Sequence, residues 1–167
     1  KLGPARVQYE WVLERSPNDG DILFALALIA LEQKEIESAR KYLNSMVRWN
    51  RRASEAHFYL GSLAEKESDI PVAIREYKQV GSGYEFLPAQ ARVASMMIDQ
   101  GRVKEAREYL ERKRADNPDR YQQLIMVEAQ LLSERGFEKE VFSLLDRALD
   151  AGAGNIDLLY FRAMTGE

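Results

Sequence analysis

The chain contains no cysteine among its 167 residues. That excludes disulfides, thiolate zinc sites and cysteine nucleophiles. It contains one histidine, His57, so no two-histidine metal motif can be assembled and a histidine-based catalytic group has no second candidate. His57 falls at a packing position of its helix and is expected to be a partly buried structural residue. Long hydrophobic runs are missing as well. The longest, from Ile22 to Leu31, is half of the roughly 20 apolar residues that span a bilayer, and reads as a buried helix. No stretch supplies the glycine, four residues, then Gly-Lys-Ser/Thr of a phosphate-cradling loop, and Gly81-Ser82-Gly83 lacks the lysine and the flanking strand. The formal net charge of −3 gives no basic excess for binding nucleic acid. The basic clusters Arg48/Arg51/Arg52 and Arg112/Lys113/Arg114 are expected to be solvated helix ends. Carboxylate pairs such as Glu10/Glu14 and Glu134/Glu138 have the spacing of exposed helix faces. No catalytic residue, cofactor or metal site is expected, and neither is an enzyme.

What the chain does have is a period. Ala5, Ala39, Ala73, Ala106 and Val141 stand 34, 34, 33 and 35 residues apart, and each is followed four positions later by a large residue: Tyr9, Leu43, Tyr77, Leu110 and Leu145. Supersecondary units that recur at this spacing stack on their neighbours, and the product is an extended surface rather than a pocket of converging groups. With the small residue as position 20 of a 34-residue unit, positions 7 and 8 are Leu26-Ala27, Leu60-Gly61, Val93-Ala94 and Glu128-Ala129, and the small residue of each pair lets a paired helix approach. Position 15 is Lys34, Ser68, Gly101 and Gly136, a turn between two helices where glycine suits a left-handed terminus. Ser68-Asp69-Ile70-Pro71 supplies a capping residue and a first-turn proline instead.

This ensemble resembles the tetratricopeptide repeat over essentially the whole chain. Departures are visible: position 4 is Leu23, His57, Gln90 and Ile125, with no tryptophan, and the late proline is present only as Pro17 and Pro118. The resemblance implies an all-α, right-handed superhelical solenoid of antiparallel helix pairs with about ten helices. Its parts are a second helix of a truncated repeat at 1–19, repeats at 20–53, 54–86, 87–121 and 122–155, and a first helix of a truncated repeat at 156–167. The sequence opens on Lys1 without an initiator Met or an apolar leader, and is read as a fragment. Val7, Trp11, Leu158, Leu159 and Phe161 would then lack neighbours, and self-association through the ends is expected.

In this family the first helices line a concave groove. By resemblance, the lining here is Phe24, Leu28, Leu31, Phe58, Ser62, Ala91, Ser95, Ile98, Met126, Gln130 and Tyr160. The lysine and asparagine clamp of the chaperone-tail-binding members is absent, so the implied partner is a protein or peptide segment of apolar character. Two alternatives belong to other classes: an RNA-reading helical repeat, disfavoured by the acidic charge, and the docking region of a larger enzyme. Phe86-Leu87-Pro88-Ala89-Gln90-Ala91-Arg92, Asp99-Gln100-Gly101-Arg102-Val103-Lys104-Glu105-Ala106 and Leu158-Leu159-Tyr160-Phe161-Arg162-Ala163 are similar to a group of proteobacterial outer-membrane lipoproteins rich in these repeats. One member of that group is a periplasmic adaptor for a carboxyl-terminal processing protease and its cell-wall hydrolase substrates. That resemblance implies a periplasmic, outer-membrane-anchored scaffold.

Overall fold

A computed structural model of the chain describes residues 3–150 and 162–163. Nine α-helices occur among them: α1 (Gly3–Arg15), α2 (Gly20–Glu32), α3 (Ile36–Arg48), α4 (Ala53–Lys66), α5 (Ile70–Lys78), α6 (Phe86–Asp99), α7 (Val103–Asp116), α8 (Tyr121–Ser133) and α9 (Glu138–Asp150). A 3₁₀ turn, Pro118–Arg120, precedes α8. No strand occurs among the described residues. The chain forms two compact units, Lys1–Ala89 and Gln90–Glu167. The helix expected at 156–163 and its Tyr160, Leu158, Leu159 and Phe161 lie outside the described residues, apart from Arg162 and Ala163, which are helical.

Four of the inter-helix turns are built alike. The residues at position 15 all have positive φ: Lys34 (61°), Ser68 (63°), Gly101 (77°) and Gly136 (74°). The N–H of the next residue reaches back five positions, Glu35 to the Ala30 carbonyl, Asp69 to Ala64, Arg102 to Met97 and Phe137 to Leu132, at 2.8–3.0 Å. This is a Schellman closure, in which a left-handed residue lets the chain satisfy carbonyls that the helix end leaves open. Side chains then restart the following helices at two places. Asp19 accepts from the Asp21 and Ile22 N–H groups at the start of α2, and Asp69 accepts from Val72 with Pro71 in the first turn of α5.

In the first unit, Leu23, Ala27, Leu43, Met46, Ala56, Leu60 and Leu63 form a buried cluster, with the small Ala39 and Ala73 fully buried. Gly61 meets the ring of Tyr77, whose hydroxyl donates to Glu65 Oε2 at 2.8 Å. His57, half-buried, pairs through Nδ1 with Glu76 Oε2 at 2.9 Å across α4 and α5. By contrast α1 buries no residue. It is held by Leu13, which packs against the buried cluster from its edge, and by Arg6, which bonds Glu10 and, beyond its own helix, Gln33 and Glu35. Glu10 is therefore not a free surface carboxylate but part of this junction, where the Tyr42 hydroxyl also points at it.

In the second unit, Ala94, Ala106, Ala129 and Val141 are buried among Leu110, Leu124, Ile125, Leu132 and Leu145. Gln90 occupies position 4, a place the family fills with a bulky residue, and is fully buried. The Tyr109 hydroxyl donates to its Oε1, and burial pushes that phenol's pKa up, so it remains a donor.

One expectation is corrected here. Arg114 is not a solvated helix end: it is 8% exposed. Glu128, at a position that is Leu26, Leu60 and Val93 in the other repeats, is 1% exposed. The two explain each other. Arg107 Nε donates to Glu128 Oε1 at 3.0 Å and Arg114 Nη1 to Oε2 at 2.5 Å, so an ionic triad joins α7 to α8.

Candidate partner-binding surface

The candidate groove residues are best described unit by unit. In the first unit, α2 contributes Phe24, Leu28 and Leu31, and α4 contributes Phe58 and Ser62. Leu28 is 37% exposed, an unusual position for a leucine beside a core. Phe24, Leu31, Phe58 and Ser62 are half-buried, and Phe24 and Leu31 pack against the buried cluster from its edge.

The rings form a connected strip. Phe24 meets Tyr59 edge-on at 5.5 Å, Tyr59 meets Phe58 at 5.8 Å, and Phe58 meets the buried Tyr77 at 5.5 Å. Such offset and edge-on contacts are the preferred geometry for aromatic pairs. Tyr59 was not expected to be part of this surface. Its edge-on contact with Phe24 of α2 brings it in.

Arg52 closes one end of the strip. Its backbone is left-handed (φ 47°) at the start of α4, and its guanidinium lies 4.1 Å from the Phe24 ring centroid. The same group bonds Asp21 at 3.0 Å and Glu55 at 2.9 Å. The member of a cluster expected to be solvated is thus tied to the first helices of two consecutive repeats.

In the second unit, Ala91, Ser95 and Ile98 lie on α6 and Met126 and Gln130 on α8. Ile98 is a correction: at 7% exposure it belongs to the core. Ser95 is not open either, because Arg135 Nη2 donates to its hydroxyl at 2.6 Å while Arg135 Nε donates to Asp99 at 2.8 Å. The Arg135 guanidinium holds the Asp99 carboxyl below the ordinary aspartate range. Gln130 is exposed and donates to Glu134 at 2.9 Å; Ala91 and Met126 are half-buried. This face is polar and cross-braced where the first unit's is aromatic.

Among the described residues no group of His, Cys, Asp or Glu is placed to hold a metal, and no helix is long and apolar enough to cross a membrane.

Comparison with known proteins agrees with the helix-pair architecture. The tetratricopeptide repeat family matches residues 5–50. The chain is 39% identical over 112 residues, 67% of its length, to the TPR repeat-containing protein PA4667 of Pseudomonas aeruginosa. It spans 19% of that relative's length. Helix pairs closed by the same turn at the same position, a family match over residues 5–50 and a relative named for the same repeat agree that the chain carries tetratricopeptide repeats.

Proposed function

We propose that this chain is a scaffold segment that takes an apolar or amphipathic stretch of a partner protein on the Phe24–Tyr59–Phe58 strip beside Leu28. Tetratricopeptide repeats bind protein partners, and proteins built from them are in general non-catalytic scaffolds. The observation that carries the finer reading is the strip itself: three ring contacts, with Leu28, one helical turn on from Phe24, left 37% exposed. A partner side chain laid there would bury apolar area on a framework that is already fixed, which is the condition for a groove to hold an amphipathic segment.

The resemblance to outer-membrane lipoproteins of this family supports a wider setting. In it the whole protein is a periplasmic adaptor, anchored to the outer membrane, that brings cell-wall hydrolases to a carboxyl-terminal processing protease.

The test uses the full-length protein purified from its own organism with whatever it holds. Co-purification of a processing protease supports the adaptor setting, and its absence from the eluate overturns that part alone. The strip is tested separately with the captured partner. Leu28→Ser removes an exposed side chain, a change usually worth within about 0.5 kcal/mol of stability. Phe24→Leu keeps the apolar contact with the core and removes the ring. The double variant should lose partner affinity while keeping its helical melt; unchanged affinity would place the partner elsewhere.

A further inference from the structure

A cleft in the second unit runs between α7 and α9 over α8, and uses none of the residues of the aromatic strip. It has two adjoining parts that share Glu111, Arg114 and Arg147. One, of ≈ 370 Å³, is otherwise charged, with Lys104, Arg107, Glu108 and Glu140 around Glu128. The other, of ≈ 330 Å³, is lined mainly by Tyr121, Ile125, Leu144 and Ala148.

The floor of the charged part carries spare donors. Both Glu128 oxygens are taken, one by Arg107 and one by Arg114, and each guanidinium gives Glu128 one hydrogen bond. No buried side-chain nitrogen or oxygen among the described residues lacks a partner. Arg114 borders both parts of the cleft, and its N–H groups beyond the one given to Glu128 are not sealed from solvent. Two guanidiniums against one carboxylate also leave a positive charge at the floor. Water meets those donors in the free protein, and a carboxylate meets them with stronger, charge-assisted bonds.

The rim decides what kind of anion can enter. Glu108 lies 3.9 Å from Lys104; among the described residues Glu111 and Glu140 have no ion partner, and Arg147 donates to the Ser143 carbonyl alone. A polyanion would meet three carboxylates on the way in. A single carboxylate meets the same three, but neutral or basic groups flanking it offset that repulsion.

We propose that the α7–α9 cleft docks a segment of a partner protein that sets one acidic side chain on Arg114 and Arg107. An apolar side chain of the same segment, within a helical turn of the acid, fills the space between Tyr121, Ile125, Leu144 and Ala148. The short spacing follows from Arg114, which borders both parts of the cleft. Positions flanking the acid are neutral or basic, facing Glu111 and Glu140.

The probe is a pair of capped alanine/lysine helical peptides, one carrying Glu and Leu four residues apart on one face and the other Gln in place of Glu. Binding to the 167-residue chain is followed by the arginine Nε–H resonances in NMR and by the dissociation constant. The Glu peptide should shift Arg107 and Arg114, and the Gln peptide should bind roughly tenfold more weakly, the difference expected when a charge-assisted bond is lost. Ala115→Trp, at an exposed position lining the apolar part, should block the Glu peptide without changing the melt. The Phe24→Leu/Leu28→Ser variant should bind it undiminished, which separates this cleft from the aromatic strip. Equal affinity for the two peptides, unchanged binding by Ala115→Trp, or no arginine shift with the Glu peptide overturns the proposal.

Discussion

Gly61 of α4 sits against the ring of Tyr77 of α5 so closely that a Cβ at Gly61 would stand 2.9 Å from Tyr77 Cδ1. The ring cannot step aside, since its hydroxyl is held by Glu65 and its face by Phe58. Gly61→Ala would gain up to about 1 kcal/mol of helix propensity. Overpacking costs about 1–3 kcal/mol. The second effect wins, so the variant should melt at a lower temperature than the parent, and a higher melting temperature would show that α4 and α5 can separate freely.

The turn residues Lys34 and Ser68 hold a left-handed backbone without being glycine. That conformation costs an ordinary residue roughly 1–2 kcal/mol, while glycine returns about 0.5–1 kcal/mol of the gain through the freedom of the unfolded chain. Lys34→Gly and Ser68→Gly should each stabilise by about 0.5–1 kcal/mol, and the two should add because they lie in separate turns. Denaturant midpoints of the two single variants and the double variant measure this. Loss of stability in both would mean the side chains contribute something the backbone argument omits.

Glu128 should be intolerant of simple removal. Glu128→Leu restores the residue type of the other repeats but strands two guanidiniums, one of them nearly buried. Breaking a buried pair in this way costs about 3–5 kcal/mol. Replacing the whole triad, as Glu128→Leu with Arg107→Leu and Arg114→Met, should recover most of that loss, because an apolar set of similar volume is often neutral or stabilising by about 1–4 kcal/mol. Chemical denaturation of both variants checks the order. A single variant as stable as the triple one would show that the triad is already wet.

The Asp99–Arg135 brace should be visible in a titration. With its carboxyl pKa depressed in the folded state, Asp99 contributes stability that is present above its unfolded pKa and is lost as pH falls through the folded one. The NMR midpoint of Asp99 should lie below the ordinary value of about 3.9, and Arg135→Leu should move it upward. An unmoved midpoint would assign the depression to some other cause.

Much of the fold was legible because period is a one-dimensional signal. Ala39, Ala73, Ala106 and Val141, picked out by spacing alone, are at most 1% exposed, and Lys34, Ser68, Gly101 and Gly136 share one turn geometry whatever their side chains. The site was less legible because it depends on what the next repeat brings. Ile98 has the register of a lining residue and is covered. Glu128 stands where the other repeats carry Leu or Val, and Arg107 and Arg114 of α7 account for its burial. Tyr59, absent from the expected lining, joins the strip through Phe24. A residue's own helix gives its direction, and the neighbouring helix decides whether that direction ends in solvent.

Arg52 gives the aromatic strip a resident competitor. Its guanidinium already lies over Phe24 while holding Asp21 and Glu55, so a ligand that reaches the ring must displace a cation and release two carboxylates at the starts of α2 and α4. Affinity measured there is a difference between two stacked states, not the strength of one. Removing the arginine would weaken the fold's ion pairing and tighten the ligand in the same stroke.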